Sequence, residues 1–325
     1  MKITIITNDY YPMNGGISAH ITELTAGLAR NHRVHVIHEP NLLKASMALK
    51  NSEEDIVIAS TFWYGGLLCY LFRKKYILLN YGSDIMRWGR FPRNIIAKQI
   101  MKQAIKIVTI SQRSLIENVK ITGNATEYNF QIVPPPVAIP LFQSGKELAR
   151  KELGIKQKAK VIVSIGRLIE RKGFHLLAEA VKDLPCELYI IGEGPYKDKI
   201  PQYNNVHLVG YVNDDRKHQY LEACDLFAML PIDLKDDIEG FGIVYLEAAL
   251  HGKPIIGSNQ GGVVCAIDKM PVRYITDGTV PTAKYIINHV LGGKMNGRAN
   301  KLYVYEHYNK HRIADQVMEG ILWYL

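Results

Sequence analysis

The run Val133-Pro134-Pro135-Pro136-Val137-Ala138-Ile139-Pro140 decides how the rest of the chain is read. Four prolines within this stretch can continue neither a helix nor a central strand, because proline has no amide hydrogen to give and its ring fixes φ. The segment reads as a semi-rigid linker, and the same grammar runs on both sides of it. Upstream, Lys2–Thr7 is an apolar run bounded by turn residues. The glycine-bearing loop Asn14-Gly15-Gly16 follows, then a helical spacing at Ile17, Ile21, Leu24 and Leu28. Strands are predicted at Arg33–His38, Asp55–Ala59, Tyr76–Leu79, Ala104–Ile110 and Gln131–Val133. Downstream, strands at Lys160–Ile165, Glu187–Ile191, Val206–Val209, Leu226–Leu230 and Pro254–Gly257 alternate with helices at Gly173–Leu184, Gln219–Cys224, Gly242–His251 and Arg312–Tyr324. Strands alternating with helices imply parallel sheets covered on both faces. The expected architecture is α/β, with two Rossmann-like doubly wound domains facing a cleft and ligands at the carboxyl ends of the strands.

A length of 325 residues suits about two domains at ~150 residues each, and 47% apolar with 22% charged residues is a globular composition. Disorder, collagen-like repeats and a disulfide miniprotein are excluded. No apolar run approaches the ~20 residues that cross a bilayer. The first apolar stretch stops at Asn8-Asp9, too short for a signal peptide, so a cytoplasmic location is expected. Cys69, Cys186, Cys224 and Cys265 are widely spaced and read as free thiols. Net charge is +9, and the excess is uneven: residues 1–140 carry 16 Lys+Arg against 9 Asp+Glu, residues 141–325 carry 24 against 22. Something anionic is expected to meet the first half.

Three stretches carry chemistry. Glu239-Gly240-Phe241-Gly242-Ile243-Val244-Tyr245-Leu246-Glu247 sets two carboxylates eight positions apart across a loop-to-helix junction. Eight helical residues rise ~12 Å, so the two acids suit opposite ends of one long ligand, and the glycines between them let helix N-terminal amides approach a phosphate. The same pattern also suits a surface acid before an ordinary amphipathic helix. Gly166-Arg167-Leu168-Ile169-Glu170-Arg171-Lys172-Gly173 puts cations directly after a strand, where they either neutralise a diphosphate or form a solvated basic turn. Gly15-Gly16 is half of a dinucleotide loop or a plain tight turn. Asp214-Asp215 and Asp236-Asp237 lack a third ligand at metal spacing and read as solvated loop acids, and Ser18 has no triad partner pattern.

Taken in order, the motifs resemble GT-B fold glycosyltransferases, and among them the retaining family 4 (group 1) enzymes. The resemblance runs through Gly15-Gly16, Tyr81-Gly82-Ser83-Asp84, Ser164-Ile165-Gly166-Arg167-Leu168 with Lys172-Gly173, and Ile191-Gly192-Glu193-Gly194-Pro195. It continues through Val209-Gly210-Tyr211-Val212, Ala223-Cys224-Asp225-Leu226-Phe227, the Glu239/Glu247 pair, Gly252-Lys253-Pro254-Ile255-Ile256-Gly257 and Gly261-Gly262. It implies an acceptor-binding domain at 1–138 and a nucleotide-sugar domain at 139–311, with a C-terminal helix at 312–325 returning to the first. It further implies that Arg167 and Lys172 contact the diphosphate, that Glu239 meets the sugar hydroxyls and Glu247 the ribose, and that the amides of Phe241, Gly242 and Ile243 face the phosphates. Gly194, Tyr211 and Val212 would lie near the base, and Gly15 and Gly16 over the phosphates. Tyr81 and Asp84 would sit on the acceptor side. Transfer would proceed with retention, without a metal or other cofactor. Departures are Tyr81 where the family has His, Cys265 where it has Glu, and a shortened stretch from there to about residue 300. A tyrosine can donate a hydrogen bond but is no base near neutral pH without a large pKa shift. A nucleotide-sugar epimerase, or a binding protein without turnover, are the alternatives.

The basic excess concentrates between Arg73 and Lys106: Arg73, Lys74, Lys75, Arg87, Arg90, Arg93, Lys98, Lys102 and Lys106 against Asp84 alone, with Trp88 and Phe91 among them. Ile95-Ile96, Ile100-Met101 and Ile105 form an apolar stripe, and Lys98, Lys102 and Lys106 step by four on another face. The pattern suits either a core-facing helix with a solvated basic face or docking at an anionic membrane surface, which makes a lipid-linked or other glycan acceptor the expected partner. No aromatic-basic array of a nucleic-acid module appears.

Overall fold

The computed structural model describes residues 1–11, 15–81, 86, 91–140, 144–293 and 296–324. The chain forms two compact units, Met1–Ala138 with Tyr308–Leu325, and Ile139–His307.

In the first unit, strands β1 (Lys2–Thr7), β2 (Arg33–His38), β3 (Ile56–Ser60), β4 (Tyr76–Asn80), β5 (Lys106–Thr109) and β6 (Phe130–Ile132) lie in the order β2-β1-β3-β4-β5-β6. In the second, β7 (Val161–Ile165), β8 (Glu187–Ile191), β9 (Val206–Gly210), β10 (Leu226–Met229), β11 (Ile255–Ser258) and β12 (Arg273–Thr276) lie in the order β12-β11-β10-β7-β8-β9. All ten strand pairings are parallel. Central strands such as Ile56–Ser60 and Val161–Ile165 are buried along their whole length. This follows from helices on both faces and accounts for runs without polar alternation. Four helices start where a side-chain oxygen takes a first-turn amide. Asn41, Ser111, Asn213 and Asn309 each accept from the first turn of the helix they precede.

The linker runs extended, and its Val137 amide donates to the Tyr308 carbonyl at 3.1 Å. The return to the first unit thus begins at Tyr308, ahead of the Arg312 expected from sequence. The returning helix, Lys310–Met318, packs on the helix Gly16–Leu28. Lys106 also departs from expectation. The helix Arg93–Gln103 ends before it, so Lys106 opens β5 instead of continuing a basic stripe. Its buried ammonium donates to Gln131 Oε1 at 2.8 Å and to the carbonyls of Val317 and Glu319, and burial lowers its pKa against the opposing pull of Glu319. A strand at Arg273–Thr276 and the helices Leu42–Lys50, Gln112–Thr122, Lys146–Leu153, Val280–Gly292 and Arg298–His307 add to the elements read from sequence. The helix expected at Gln219–Cys224 starts earlier, at Asp214, because Asn213 caps it. The four cysteines are free, three of them buried. Among the described residues no helix is long and apolar enough to cross a membrane.

Gly27 is the contact point of the returning helix. A Cβ there would lie 2.2 Å from the Lys310 carbonyl oxygen and 3.1 Å from Ala314 Cβ. Alanine would gain ~0.5–1 kcal/mol of helix propensity, but a clash with backbone outweighs that. Gly27→Ala should therefore destabilise the protein by about 1–3 kcal/mol, read from chemical denaturation. Unchanged or raised stability would mean that the C-terminal helix does not dock there.

Candidate functional site

In the second sheet the chain leaves β7 toward β8 and β9, and leaves β10 toward β11 and β12. Loops after β7 and β10 therefore part at the carboxyl edge, the position where doubly wound sheets take ligands. Beyond β7 the backbone stays laddered to the neighbouring loop. Gly166 and Leu168 amides donate to the carbonyls of Ile191 and Glu193, both at 2.9 Å. Gly194 must be glycine here, since a Cβ would lie 2.3 Å from the Leu168 carbonyl oxygen. The next turn, Glu170–Lys172, is tied across to the β10 side by the Ile232 amide donating to the Arg171 carbonyl at 2.8 Å.

This brings Arg171 and Lys172 onto Glu239. Lys172 Nζ is 2.7 Å from Glu239 Oε2, and Arg171 Nη1 donates to the same oxygen. Arg171 Nε lies 3.1 Å from Asp237 Oδ1. The Glu239 side chain is only 9% exposed. Burial pushes its pKa up, but Lys172 and Arg171 more than offset that and hold the carboxyl below its ordinary range. Burial likewise works against the Arg171 charge, and Glu239 and Asp237 outweigh it. The Gly262 amide donates to the Glu239 carbonyl at 2.6 Å, so the Gly261-Gly262 turn after β11 braces the same loop. Arg167 is exposed and forms no ion pair among the described residues.

The helix Ile243–Leu250 begins at Gly242, which has φ 88°, and buries Phe241 just before it. Glu247 lies on this helix with a separate partner. Its Oε1 is 2.8 Å from Lys217 Nζ, which is also 2.9 Å from Asp214 Oδ1. Burial opposes the Lys217 charge, but Glu247 and Asp214 drive its pKa well up. Tyr211 and Val212 lead directly into the helix Asp214–Ala223 that carries Lys217, Tyr211 exposed and Val212 half-buried. The next residue, His218, meets His251 through Nδ1 and Nε2 at 2.9 Å.

Of the residues singled out from sequence, Glu239 and Lys172 are thus in contact, while Arg167 is not part of that pair and Glu247 belongs to a neighbouring one. Asp214 and Asp237 are corrected: they are ion-paired to Lys217 and Arg171, not merely solvated. Arg171 and Lys217 were missed as site residues. Arg171 stands within a stretch whose charge was noted, and Lys217 follows the noted acids Asp214-Asp215, but neither spacing nor residue type distinguishes a cation folded back on an acid from one in solvent. In the first unit, Gly15 and Gly16 are exposed at the start of the helix Gly16–Leu28, where an added Cβ would meet nothing within 4 Å. Tyr81 is buried edge-on against His20, with 5.6 Å between ring centroids. Among the described residues His20 has no hydrogen-bond partner at either ring nitrogen, and burial takes its pKa down to about 3. Asp84 lies outside the described residues.

A family model described as glycosyl transferases group 1 matches residues 145–283, the stretch that contains both ion-pair clusters. The chain is a glycosyltransferase, and its residues 145–283 are similar to the group 1 family. This glycosyltransferase is 28% identical over 195 residues to TuaC of Bacillus subtilis, a glycosyltransferase assigned to teichuronic acid biosynthesis. That match covers 58% of the chain and only about half (48%) of the relative. It is 24% identical over 341 residues, 85% of each chain, to a GDP-mannose-dependent alpha-(1-6)-phosphatidylinositol monomannoside mannosyltransferase of Mycobacterium tuberculosis. Its fold is that of Anabaena HepE, solved with UDP and glucose, with a TM-score of 0.79, 19% identity and 99% of both chains covered. The fold class is therefore GT-B. The family match covers Arg167, Lys172, Gly194, Tyr211, Val212, Glu239 and Glu247; Gly15, Gly16, Tyr81 and Asp84 fall outside it.

The Glu239 cluster sets a pH dependence. A carboxyl depressed below its ordinary value of 4.5 contributes stability that is present above that value and lost as pH falls through the depressed one. Glu239→Gln leaves two cations without their shared acid and should cost about 3–5 kcal/mol at pH 7. It should also flatten the loss of melting temperature below pH 4.5. An acid-side slope identical to wild type would show that Glu239 does not carry it.

Proposed function

We propose that this glycosyltransferase moves a sugar from a nucleotide-diphosphate sugar to a glycan or lipid-linked acceptor, with retention of anomeric configuration and with protein cations, not a metal, meeting the diphosphate. The donor belongs to the second unit and the acceptor to the first. The observation that carries the reading is the convergence of Lys172, Arg171 and Glu239 on the carboxyl edge between β7 and β10, next to the N-terminus of the helix Ile243–Leu250. As the bond from the anomeric carbon to the diphosphate oxygen breaks, negative charge grows on the leaving group. Fixed cations and helix amides stabilise that charge without reorganising, usually the largest catalytic contribution. Lys172 and the solvent-facing Arg167 are suited to the phosphates, with the amides of Phe241, Gly242 and Ile243 and the open helix end at Gly15 and Gly16 as further donors. Glu239, a weak base with its pKa depressed, suits hydrogen bonding to sugar hydroxyls better than proton abstraction. Glu247 suits the ribose diol, and Gly194, Tyr211 and Val212 suit the base. Tyr81 and Asp84 are assigned to the acceptor side. The relative that depends on GDP-mannose and the HepE complexes with UDP support a nucleotide-sugar donor.

Thermal-shift screening with UDP-, GDP- and ADP-sugars tests the donor. A ligand at 100 times its Kd adds about 2.7 kcal/mol of apparent stability, so one class should stand out, and no shift with any would retire the proposal. Lys172→Ala and Glu247→Ala should each lower donor affinity or turnover by about 1.5–3 kcal/mol, roughly 10- to 150-fold. Wild-type kinetics in both would mean that the donor lies elsewhere.

A second reading, docking at an anionic membrane surface on the cytoplasmic side, is favoured by one face of the first unit. The helices Leu42–Lys50, Leu67–Leu71 and Arg93–Gln103 all pack on one core through Ala45, Leu49, Leu68, Cys69, Ala97, Ile100 and Met101. None contains an acid, and Lys44, Lys50, Arg93, Lys98 and Lys102 lie on them. Leu43 (75% exposed), Leu71 (61%) and Phe91 (80%) point away from that core. Apolar side chains among cations suit an interfacial layer, at about 1 kcal/mol per surface cation. Lys74, in contrast, is paired to Glu54 at 2.9 Å, Lys106 is buried, and Arg87, Trp88 and Arg90 lie outside the described residues. Cosedimentation with vesicles containing phosphatidylglycerol should show binding that weakens with salt and with Lys98→Glu/Lys102→Glu. Absence of binding at low salt would remove the membrane from the proposal.

A further inference from the structure

Glu239 Oε2 is shared by two cations that are held very differently. The Arg171 guanidinium faces two carboxylates, donating to Glu239 and ion-paired with Asp237 at 3.1 Å, and the Arg171 backbone is fixed by the Ile232 amide on its carbonyl at 2.8 Å. Lys172 has Glu239 as its one ion-pair partner among the described residues, at 2.7 Å. The chemistry of the two side chains widens the difference. A guanidinium spanning two carboxylates is locked by its planar fork, whereas an ammonium on a four-carbon stem re-aims at little cost. Among the described residues the remaining neighbours of Glu239 supply no other cation. Asp237 stands on its own loop, Tyr245 donates its hydroxyl to the Met229 carbonyl at 2.8 Å, and the Gly261-Gly262 turn presents backbone.

A diphosphate arriving at this edge competes with Glu239 for positive charge. We propose that Lys172 is the cation that leaves, and that Arg171 is a positioning residue, the fixed counter-ion that keeps Glu239 ionised and in place while Lys172 serves the phosphates. The proposal rests on the donor site described above. Arg171 touches neither phosphate nor sugar in this role. It separates two tasks that a single cation could not perform together: neutralising a buried acid that must not move, and following a ligand that comes and goes.

Proton balance on binding distinguishes the two cations without any turnover. The measurement is calorimetric titration of the full chain with UDP, GDP and ADP at pH 6, in two buffers of different ionisation enthalpy. Wild type should bind one of them with no net proton uptake. Arg171→Gln should bind it within about threefold of the wild-type affinity but take up a proton, because Glu239 loses its last cation when Lys172 turns to the phosphates. Arg171→Lys should restore the wild-type balance. Lys172→Gln should do the reverse, losing at least tenfold in affinity with no proton uptake; it carries the test if Arg171→Gln does not fold. Equal proton uptake in wild type and Arg171→Gln, a tenfold affinity loss in Arg171→Gln, or proton uptake in Lys172→Gln would each overturn the assignment while leaving the donor site standing. Failure of all three nucleotides to bind wild type would overturn both.

Discussion

One carboxylate oxygen, Glu239 Oε2, accepts from an arginine and a lysine that are adjacent in sequence, and the edge of the second sheet is organised around the cost of burying those charges. A carboxylate taken out of water is expensive unless it is paired and hydrogen-bonded. The pairing requires the turn after β7 to reach the loop after β10, so the two loops are laced together by backbone. The Ile232 amide binds the Arg171 carbonyl, and the Gly262 amide binds that of Glu239. Removing any of these ties would leave charge buried without its partner. The geometry of the site and the stability of the unit are therefore one problem, solved by the same contacts.

The two acids of the Glu239–Glu247 motif have different surroundings. Glu239 lies in a loop, answered by cations from the β7 side. Glu247 lies within a helix, answered by Lys217 from the helix that follows β9. Arg171 and Lys172 balance Glu239 and Asp237, whereas Lys217 alone answers both Glu247 and Asp214. Both acids therefore stand in preformed ion pairs and not as bare charges.

Much of this architecture is legible in the amino-acid sequence. The prolines at 134–136 and 140 announce the boundary because their backbone chemistry leaves no alternative, and the fully apolar strands announce a sheet buried on both faces. What escaped reading has physical causes too. The helix Asp214–Ala223 is polar along most of its surface, so periodicity caught only its last turn and the cap at Asn213 went unweighed. Lys106 keeps the four-residue step of a basic helical face, but Ala104 is extended and ends that helix, so the same spacing carries a buried strand lysine. Arg171 could not be told from Lys172 by type or position. Only the fold reveals that one is anchored at Asp237 and the other is not. His20 and Tyr81 lie far apart in sequence, and their ring contact belongs wholly to the tertiary structure.

The chain's return at Tyr308 has a consequence for synthesis. The first unit is assembled from residues made before the second unit and from residues made after it. Until Lys310–Met318 is available, the helix Gly16–Leu28 lacks its partner at Gly27, and Lys106 lacks the carbonyls of Val317 and Glu319 that accept from its ammonium. The second unit, continuous from Ile139 to His307, carries no such debt to a distant segment and can close first. The polypeptide is thus completed in an order opposite to its numbering: the opening sheet is sealed last, by residues that the intervening unit has had to deliver to it.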